Sequence, residues 1–136
     1  MTPTAKLMTG VILLTMPSIQ YGGYFLLQVL GGKQNQLQLT FFQKSMFRAG
    51  HAHAGVLVIL AILAQLLTDY AQFPSWLEWG VRVGFPLSAI FISGGFFASA
   101  IGKGIEHPNK QIWILYVGVL LLTFVFIILG LGMIIS

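Results

Sequence analysis

Four long apolar stretches take up most of this sequence. They run over about residues 7–30, 47–67, 81–101 and 111–135, and each is close to the roughly 20 residues that a helix needs to cross a bilayer. The fourth stretch, IWILYVGVLLLTFVFIILGLGMII, lacks the alternation of apolar and polar residues that a membrane barrel strand shows. The sequence therefore predicts an all-α integral membrane protein, a bundle of four transmembrane helices formed by residues 1–136 as a single domain.

The composition supports this class and narrows the chemistry. Only 7% of the residues are charged, whereas a soluble domain carries about 25%. The absence of cysteine excludes disulfides, thiolate metal sites, iron–sulfur clusters and covalently attached c-type haem. The sequence contains no nucleophile–base pair, phosphate loop or H-E-x-x-H motif. Enzymatic activity is therefore not predicted, except for redox turnover through a bound haem.

The distribution of cations predicts how the helices are oriented. Cytoplasmic loops of membrane proteins carry an excess of Lys and Arg. The opposite side has only Lys6 and Arg82 as cations. The first and third connections therefore should face the cytoplasm, with both termini outside, and the net charge of +4 requires no nucleic-acid partner. The cations of the first and third connections are Lys33, Lys44, Arg48, Lys103 and Lys110.

Three local patterns predict packing features. Thr40 can act as the N-cap of a helical prelude that runs directly into the second span. Gly94, Ala98 and Gly102 recur every four residues, as do Gly95 and Ser99, which is typical of helices that approach closely within a subunit or in an oligomer. The proximity of Arg82 to Asp69 and Glu78 in the sequence predicts a weak surface ion pair. Gln65, a polar residue within an apolar span, is predicted to bind another helix.

The second span carries the strongest chemical signal. It opens with Arg48-Ala49-Gly50-His51-Ala52-His53-Ala54-Gly55, and ionisable side chains inside a span are costly and mark functional sites. On a helix, residues two apart differ by about 200° in direction, so His51 and His53 cannot easily hold one metal ion together. One of them should face the bundle interior, and the pattern leaves open which.

Two further residues belong to this candidate site. His107 and Glu106 lie in the third connection, on the same predicted side as His51 and His53. Neutral imidazole suits haem iron, copper, zinc or nickel. A guanidinium such as that of Arg48 suits a haem propionate or a lipid phosphate. The candidate metal ligands are His51, His53, His107 and Glu106, and the candidate haem-binding residues are His51, His53 and Arg48.

A purely structural interpretation of the same residues stays open. His51 and His53 can hydrogen-bond backbone carbonyls or lipid headgroups at the interface. His107 can be an ordinary exposed turn residue, and Arg48 can extend its guanidinium to the membrane surface as a topology anchor.

The helix start also carries a resemblance. Arg48-x-x-His51-x-His53 resembles the opening of a helix in haem-copper oxidase subunit I and in the related protein NnrS. That resemblance implies that His51 or His53 is an axial ligand of haem b. It covers about six residues, and those proteins have many more spans. The segments FRAGHAHAGVL and SGGFF also resemble a family of small bacterial four-span membrane proteins of no known function, which implies the inner membrane of a bacterium.

Three function hypotheses follow. The first is a small membrane protein that binds haem or a transition metal for electron transfer, sensing or cofactor delivery, with His107 or a second subunit completing the ligand set. The second is a channel or transporter in which the histidines handle protons or a cation. The third is an accessory or assembly subunit of a larger membrane complex. The expected partners are the lipid bilayer and either further copies of the chain or such a complex.

Overall fold

The computed structural model describes residues 1–32 and 38–136. The described residues form four α-helices, namely α1 (Pro3–Leu30), α2 (Phe41–Thr68), α3 (Ser75–Ser99) and α4 (Trp113–Ile135), with a short 3₁₀ turn at Lys110–Ile112 before α4. Each helix, taken with that turn in the case of α4, is long and apolar enough to cross a membrane. The fold is therefore the predicted all-helical arrangement, and it is consistent with a multi-pass membrane protein.

Three helices begin earlier than the apolar stretches alone predict, α1 by four residues and α2 and α3 by six. α2 starts at Phe41 because Thr40 and Gln43 form a capping box, in which the Thr40 hydroxyl accepts from the Gln43 N–H and the Gln43 side chain accepts from the Thr40 N–H. This confirms the predicted prelude. α3 starts at Ser75, so Trp76 and Trp79 lie in its first turns rather than in a loop.

The helix axes are arranged around α3. It packs along α2 on one side and along α4 on the other, whereas α1 packs mainly on α2 and its backbone does not come close to that of α4 within the described residues. All four helices contribute to one apolar core. Its buried members are Ile12 of α1, Val58, Ala61 and Ala64 of α2, Val81 and Phe85 of α3, and Val125 and Leu129 of α4.

One end of the bundle, which we call the terminal end, holds the first and last residues. The Thr2 backbone N–H donates to an Asp69 carboxylate oxygen at 2.8 Å, and the Gln72 N–H donates to the Ser136 hydroxyl at 3.1 Å. Residues near both termini therefore lie beside the α2–α3 connection, as the four-span topology predicts.

The opposite end, which we call the basic end, joins the start of α2 to the α3–α4 connection. The Gln43 amide donates to the carbonyls of Ala100 and Gly102 at 2.9 and 2.8 Å, and the Thr40 hydroxyl donates to the carbonyl of Ile105. Lys44 and Arg48 lie near this end, as do Lys103 and Lys110. Lys33, another cation of the first connection, lies outside the described residues.

Arg82 is buried, which corrects the prediction of a surface ion pair. Only 1% of it is exposed. Its Nη2 donates to Asp69 Oδ1 at 2.6 Å, its Nε to Glu78 Oε1 at 2.9 Å, and its Nη1 to the Gln65 carbonyl at 2.9 Å. Removing one partner of a buried ion pair typically costs about 3–5 kcal/mol, because the remaining charge is left without compensation. These bonds hold α2 and α3 together at the terminal end, and we call Arg82 with its partners Asp69, Glu78 and Gln65 the Arg82 clamp.

Pro86 explains the buried Gln65. α3 continues through Pro86, which has no N–H, so the carbonyl of Arg82 one turn earlier loses its helical partner. The Gln65 amide of α2 donates to this carbonyl at 2.9 Å. Gln65 thereby satisfies a group that lipid cannot satisfy, and it binds another helix as predicted.

The close contact between α3 and α4 depends on Gly95, a member of one of the two predicted sets of small residues, and on Gly118 of α4. A Cβ atom on Gly95 would lie 2.6 Å from the Leu115 Cα, and one on Gly118 would lie 2.8 Å from the Ile92 nitrogen. A Cβ on Gly94 would meet nothing within 4 Å. Gly102 lies beyond the end of α3, where its φ of 142° forms part of the turn. The predicted Gly94/Ala98/Gly102 face is therefore not the packing face within the subunit.

The two adjacent glycines provide a matched test of this packing. Gly95→Ala should lower the free energy of unfolding by about 1–3 kcal/mol, because the new methyl group forces α3 and α4 apart. Gly94→Ala should leave it unchanged or raise it by up to about 1 kcal/mol, because alanine is the better helix former. Unfolding of both variants in mixed detergent micelles measures the difference, and equal effects would contradict the assigned packing face.

Because Asp69 carries a carboxyl group, the stability that the Arg82 clamp provides depends on pH. Burial alone raises the pKa of its carboxyl, but hydrogen bonds from the Thr2 hydroxyl and N–H and from Arg82, together with the charge of Arg82, outweigh burial and lower the pKa from 3.8 to about 2. A carboxyl with a lowered pKa stabilises the folded state fully above its unfolded pKa. That stabilisation decreases as the pH falls through the folded pKa.

The lowered pKa of Asp69 predicts how the difference in melting temperature between the wild type and the variant Asp69→Asn changes with pH. We expect the wild type to have the higher melting temperature by a constant margin from pH 7 down to about pH 5. The margin should shrink between about pH 4 and pH 2, where the wild-type carboxylate becomes protonated. Thermal unfolding in detergent at fixed ionic strength measures it, and a margin unchanged at pH 2 would show that the carboxylate charge does not stabilise the clamp.

Candidate functional site

The histidine segment of α2 lies against both neighbouring helices. His51 is ten residues after Phe41, about 15 Å along the axis from the start of α2. Gly50 brings α2 close to α3, since a Cβ there would lie 3.0 Å from the Phe97 ring and 3.1 Å from the Ser93 carbonyl oxygen. The small residues around the histidines therefore serve helix packing on one side of the segment.

His51 is the histidine that faces the interior. Its ring is half-buried and lies against the Gly22–Gly23 pair of α1. A Cβ on Gly23 would lie 3.1 Å from His51 Nε2, and a Cβ on Gly22 would lie 3.6 Å from Nδ1. The two glycines thus make room for the imidazole, and α1 covers it. Both ring nitrogens of His51 therefore lie near α1.

His53 faces outward beside α3. Its side chain is exposed, and its ring centroid lies 4.9 Å from that of Phe96, with the ring planes tilted by 34°. Its Nδ1 lies 2.8 Å from the carbonyl oxygen of Ala49, one turn earlier. Because a carbonyl can only accept, Nδ1 carries the hydrogen, and in the neutral ring Nε2 has the lone pair. The bond therefore leaves Nε2 available as a ligand atom.

The remaining candidate residues lie toward the basic end. Arg48 is exposed on α2, and Glu106 and His107 are exposed in the α3–α4 connection. That connection is held by Asn109, whose side chain donates to the Ala98 carbonyl at 2.9 Å. In the part of the chain that the structure describes, no three His, Asp or Glu side chains are grouped so that they could hold a metal ion.

Sequence reasoning identified the histidines but not their surroundings. Gly22 and Gly23, which accommodate His51, are visible in the sequence as a Tyr-Gly-Gly-Tyr segment inside an apolar stretch. A glycine pair at mid-helix indicates a close neighbour, but periodicity does not name that neighbour. The contact of His53 with Phe96 joins residues 43 positions apart, and no local pattern predicts it.

Comparison with protein-family models, with curated proteins and with solved structures gives no match for this chain. The resemblance of Arg48, His51 and His53 to the helix start of haem-copper oxidase subunit I and NnrS therefore stays a prediction.

The tautomer of His53 is directly measurable. In ¹⁵N-histidine-labelled protein at alkaline pH, we expect a neutral His53 ring with the hydrogen on Nδ1, held there by the Ala49 carbonyl. Exposed neutral histidines usually carry it on Nε2, and His107 offers such a reference within the same chain. The variant His53→Ala assigns the signal. A hydrogen on Nε2 of His53 would show that the bond to Ala49 does not form.

Proposed function

We propose that this chain is a membrane-embedded haem-binding protein with His53 as an axial ligand of haem b. The observation that carries the proposal is the hydrogen bond from His53 Nδ1 to the Ala49 carbonyl. Histidine ligands of metals generally donate their other ring nitrogen to a carbonyl or carboxylate, which sets the tautomer and the ring orientation. His53 has this arrangement, and its Nε2 faces away from its own helix.

The number of available ligands favours haem over a bare metal ion. A zinc site takes three or four protein ligands, and the described residues contain no such group. Haem brings four nitrogens of its own and needs one or two protein ligands. A single outward-facing imidazole is therefore sufficient for haem. The proposal does not use His51, His107 or Glu106 as ligands, because His51 packs against α1 and the other two are exposed in the α3–α4 connection.

The surface around His53 suits a flat apolar group. Val56 lies three residues after His53 and therefore on the same side of α2, and it is apolar and 60% exposed. The Phe96 ring flanks the imidazole. Arg48 is exposed five residues before His53, toward the basic end, where its guanidinium can pair with a propionate.

In this proposal each residue has a defined task. His53 Nε2 would bind the iron, the Ala49 carbonyl would keep the imidazole oriented, and Arg48 would pair with a propionate. The haem would supply one-electron redox chemistry. A second protein ligand, where one is needed, would come from a second copy of the chain or from a partner subunit.

The orientation in the membrane completes the proposal. From the excess of cations at the basic end, we propose that this end faces the cytoplasm and that the two termini lie outside. We further propose that the membrane is the inner membrane of a bacterium. The haem then lies in the cytoplasmic half of the bilayer.

The arrangement of polar groups supports a cofactor more than an ion path. The Arg82 clamp and the histidine segment lie toward opposite ends of the bundle, and an apolar core that includes Val58, Ala61 and Phe85 lies between them. A proton or cation path needs a continuous series of polar groups or water. Between the two ends, the described residues of α3 include the buried hydroxyls of Ser88 and Ser93 but no titratable side chain.

Purification from haem-replete cells tests the proposal. The detergent-purified protein should show a Soret band and a b-type pyridine haemochrome, with one haem per chain or per pair of chains. His53→Ala should lose the band. His51→Ala is the matched control and should retain it, since His51 packs against α1 rather than against the haem surface.

Three outcomes would overturn the proposal. One is a colourless protein that also fails to bind added haem. Another is full haem binding by His53→Ala, which would exclude this ligand. The third is stoichiometric zinc or copper without haem in metal analysis, which would favour a metal-ion site instead. A colourless protein that co-purifies with other membrane subunits would favour the accessory role.

A further inference from the structure

A cavity of about 260 Å³ lies between α1, α2 and α3, separate from the surface of His53. Its inner wall includes the buried residues Val58, Ala89 and Ser93, and its outer edge includes the exposed residues Val11 and Ile90. The cavity therefore opens between α1 and α3 on the surface that faces lipid. An apolar cavity of about 150 Å³ is sufficient to bind benzene, so this one has room for a substituted ring.

Ser93 is the polar feature of this cavity. It is 7% exposed, and its hydroxyl has no hydrogen-bond partner. Ser88 and Ser99 on the same helix both donate to carbonyls of their own helix, at 2.7 and 3.1 Å. A buried hydroxyl without a partner costs about 1–3 kcal/mol, so a hydroxyl left free beside a cavity points to a partner that enters from outside.

The other hydroxyls of the cavity are already used as donors. Thr15 donates to the Ile12 carbonyl at 2.7 Å, and Ser18 donates to the Thr15 carbonyl at 2.6 Å. Among the hydroxyls of the cavity wall, Ser93 is thus the one whose hydrogen is free for a ligand. The complementary ligand is apolar and carries an oxygen that accepts a single hydrogen bond.

The depth of the cavity narrows the source of that oxygen. Ser93 lies six residues from Leu87, the middle of α3, which is about 9 Å along the helix axis. Ester carbonyls of phospholipids lie at the edge of the hydrocarbon core, about 15 Å from its centre and so about 6 Å farther out than Ser93. A phospholipid can therefore fill the cavity with an acyl chain, but it does not bring a carbonyl to Ser93. A lipid-soluble quinone does, because its ring carries carbonyl oxygens into the hydrocarbon.

We infer that this cavity is a binding site for the ring of a membrane quinone, which enters between α1 and α3 and accepts a hydrogen bond from the Ser93 hydroxyl. The site does not depend on haem binding at His53, and the two proposals can fail separately.

Photolabelling in quinone-free lipid nanodiscs tests the site. The probe is a benzoquinone with a short alkyl tail and a photoreactive azide, and the labelled peptides are identified by mass spectrometry. We expect saturable labelling of the α1–α3 lining, displaced by decylbenzoquinone and not by decylbenzene, which has the same tail and no carbonyl.

Three variants refine the test. Ser93→Ala should weaken decylbenzoquinone competition about fivefold, as expected for the loss of one hydrogen bond. Its melting temperature without ligand should not fall, because the Ser93 hydroxyl has no partner in the protein. Ser88→Ala, the same change at a serine bonded within α3, should leave competition unchanged. Ala54→Leu should fill part of the cavity and abolish saturable labelling.

The inference is overturned if labelling does not saturate, if it lies elsewhere on the chain, or if decylbenzene competes as well as decylbenzoquinone. It is also overturned if Ser93→Ala competes like the wild type, since the hydroxyl would then take no part. Should Ala54→Leu fail to fold, the comparison of Ser93→Ala with Ser88→Ala still decides the question.

Discussion

The buried guanidinium of Arg82 is the constraint on which the arrangement of the helices depends. A charge inside an apolar bundle must be both paired and hydrogen-bonded, because burial removes the water that would otherwise solvate it. Asp69 at the end of α2 and Glu78 on α3 supply the pairing. The side chain of Arg82 donates to the Gln65 carbonyl, while the Gln65 amide donates to the Arg82 carbonyl. This reciprocal pair sets the alignment of α2 with α3, and Asp69 connects α1 to it through Thr2.

The attachment of α1 explains why a cavity forms beside it. Near the terminal end, α1 is held by the bonds between Thr2 and Asp69. Farther along, its Gly22–Gly23 pair lies against His51 of α2. Between these two attachments α1 has few contacts with α3, and the cavity occupies that space. The position of His51 and the presence of the cavity therefore have a common origin in the way α1 packs.

The opposite orientations of His51 and His53 separate a packing role from a ligand role. The imidazole of His51 fills a space that two glycines leave for it. The imidazole of His53 has its Nδ1 engaged and its Nε2 free. The helical geometry of the i, i+2 pair predicts this divergence, but it does not say which histidine turns inward. That outcome depends on which side of α2 is covered by α1.

Local physical chemistry explains why some expectations held and others were wrong. The Thr40–Gln43 capping box involves neighbouring residues, so the prelude to α2 could be predicted. The need of Gln65 for a helix partner follows from its polarity alone. The burial of Arg82 and the choice of Gly95 over Gly94 could not be predicted, because both depend on which face of α3 meets α2 and α4. Adjacent glycines have the same local pattern, and only the position of Leu115 distinguishes them.

The four apolar stretches by themselves determined that the chain forms four long helices, since each segment must satisfy its own backbone in an apolar environment. Because successive helices run in opposite directions, the first and third connections, which carry most of the cations, could also be assigned to one end. Only the tertiary structure decided that α3 is central, that Arg82 is enclosed, and that Ser93 borders a cavity with its hydroxyl free. The physical reason is that a helix repeats the same backbone bonds whatever its neighbours, whereas the burial of a side chain depends on the neighbour that covers it.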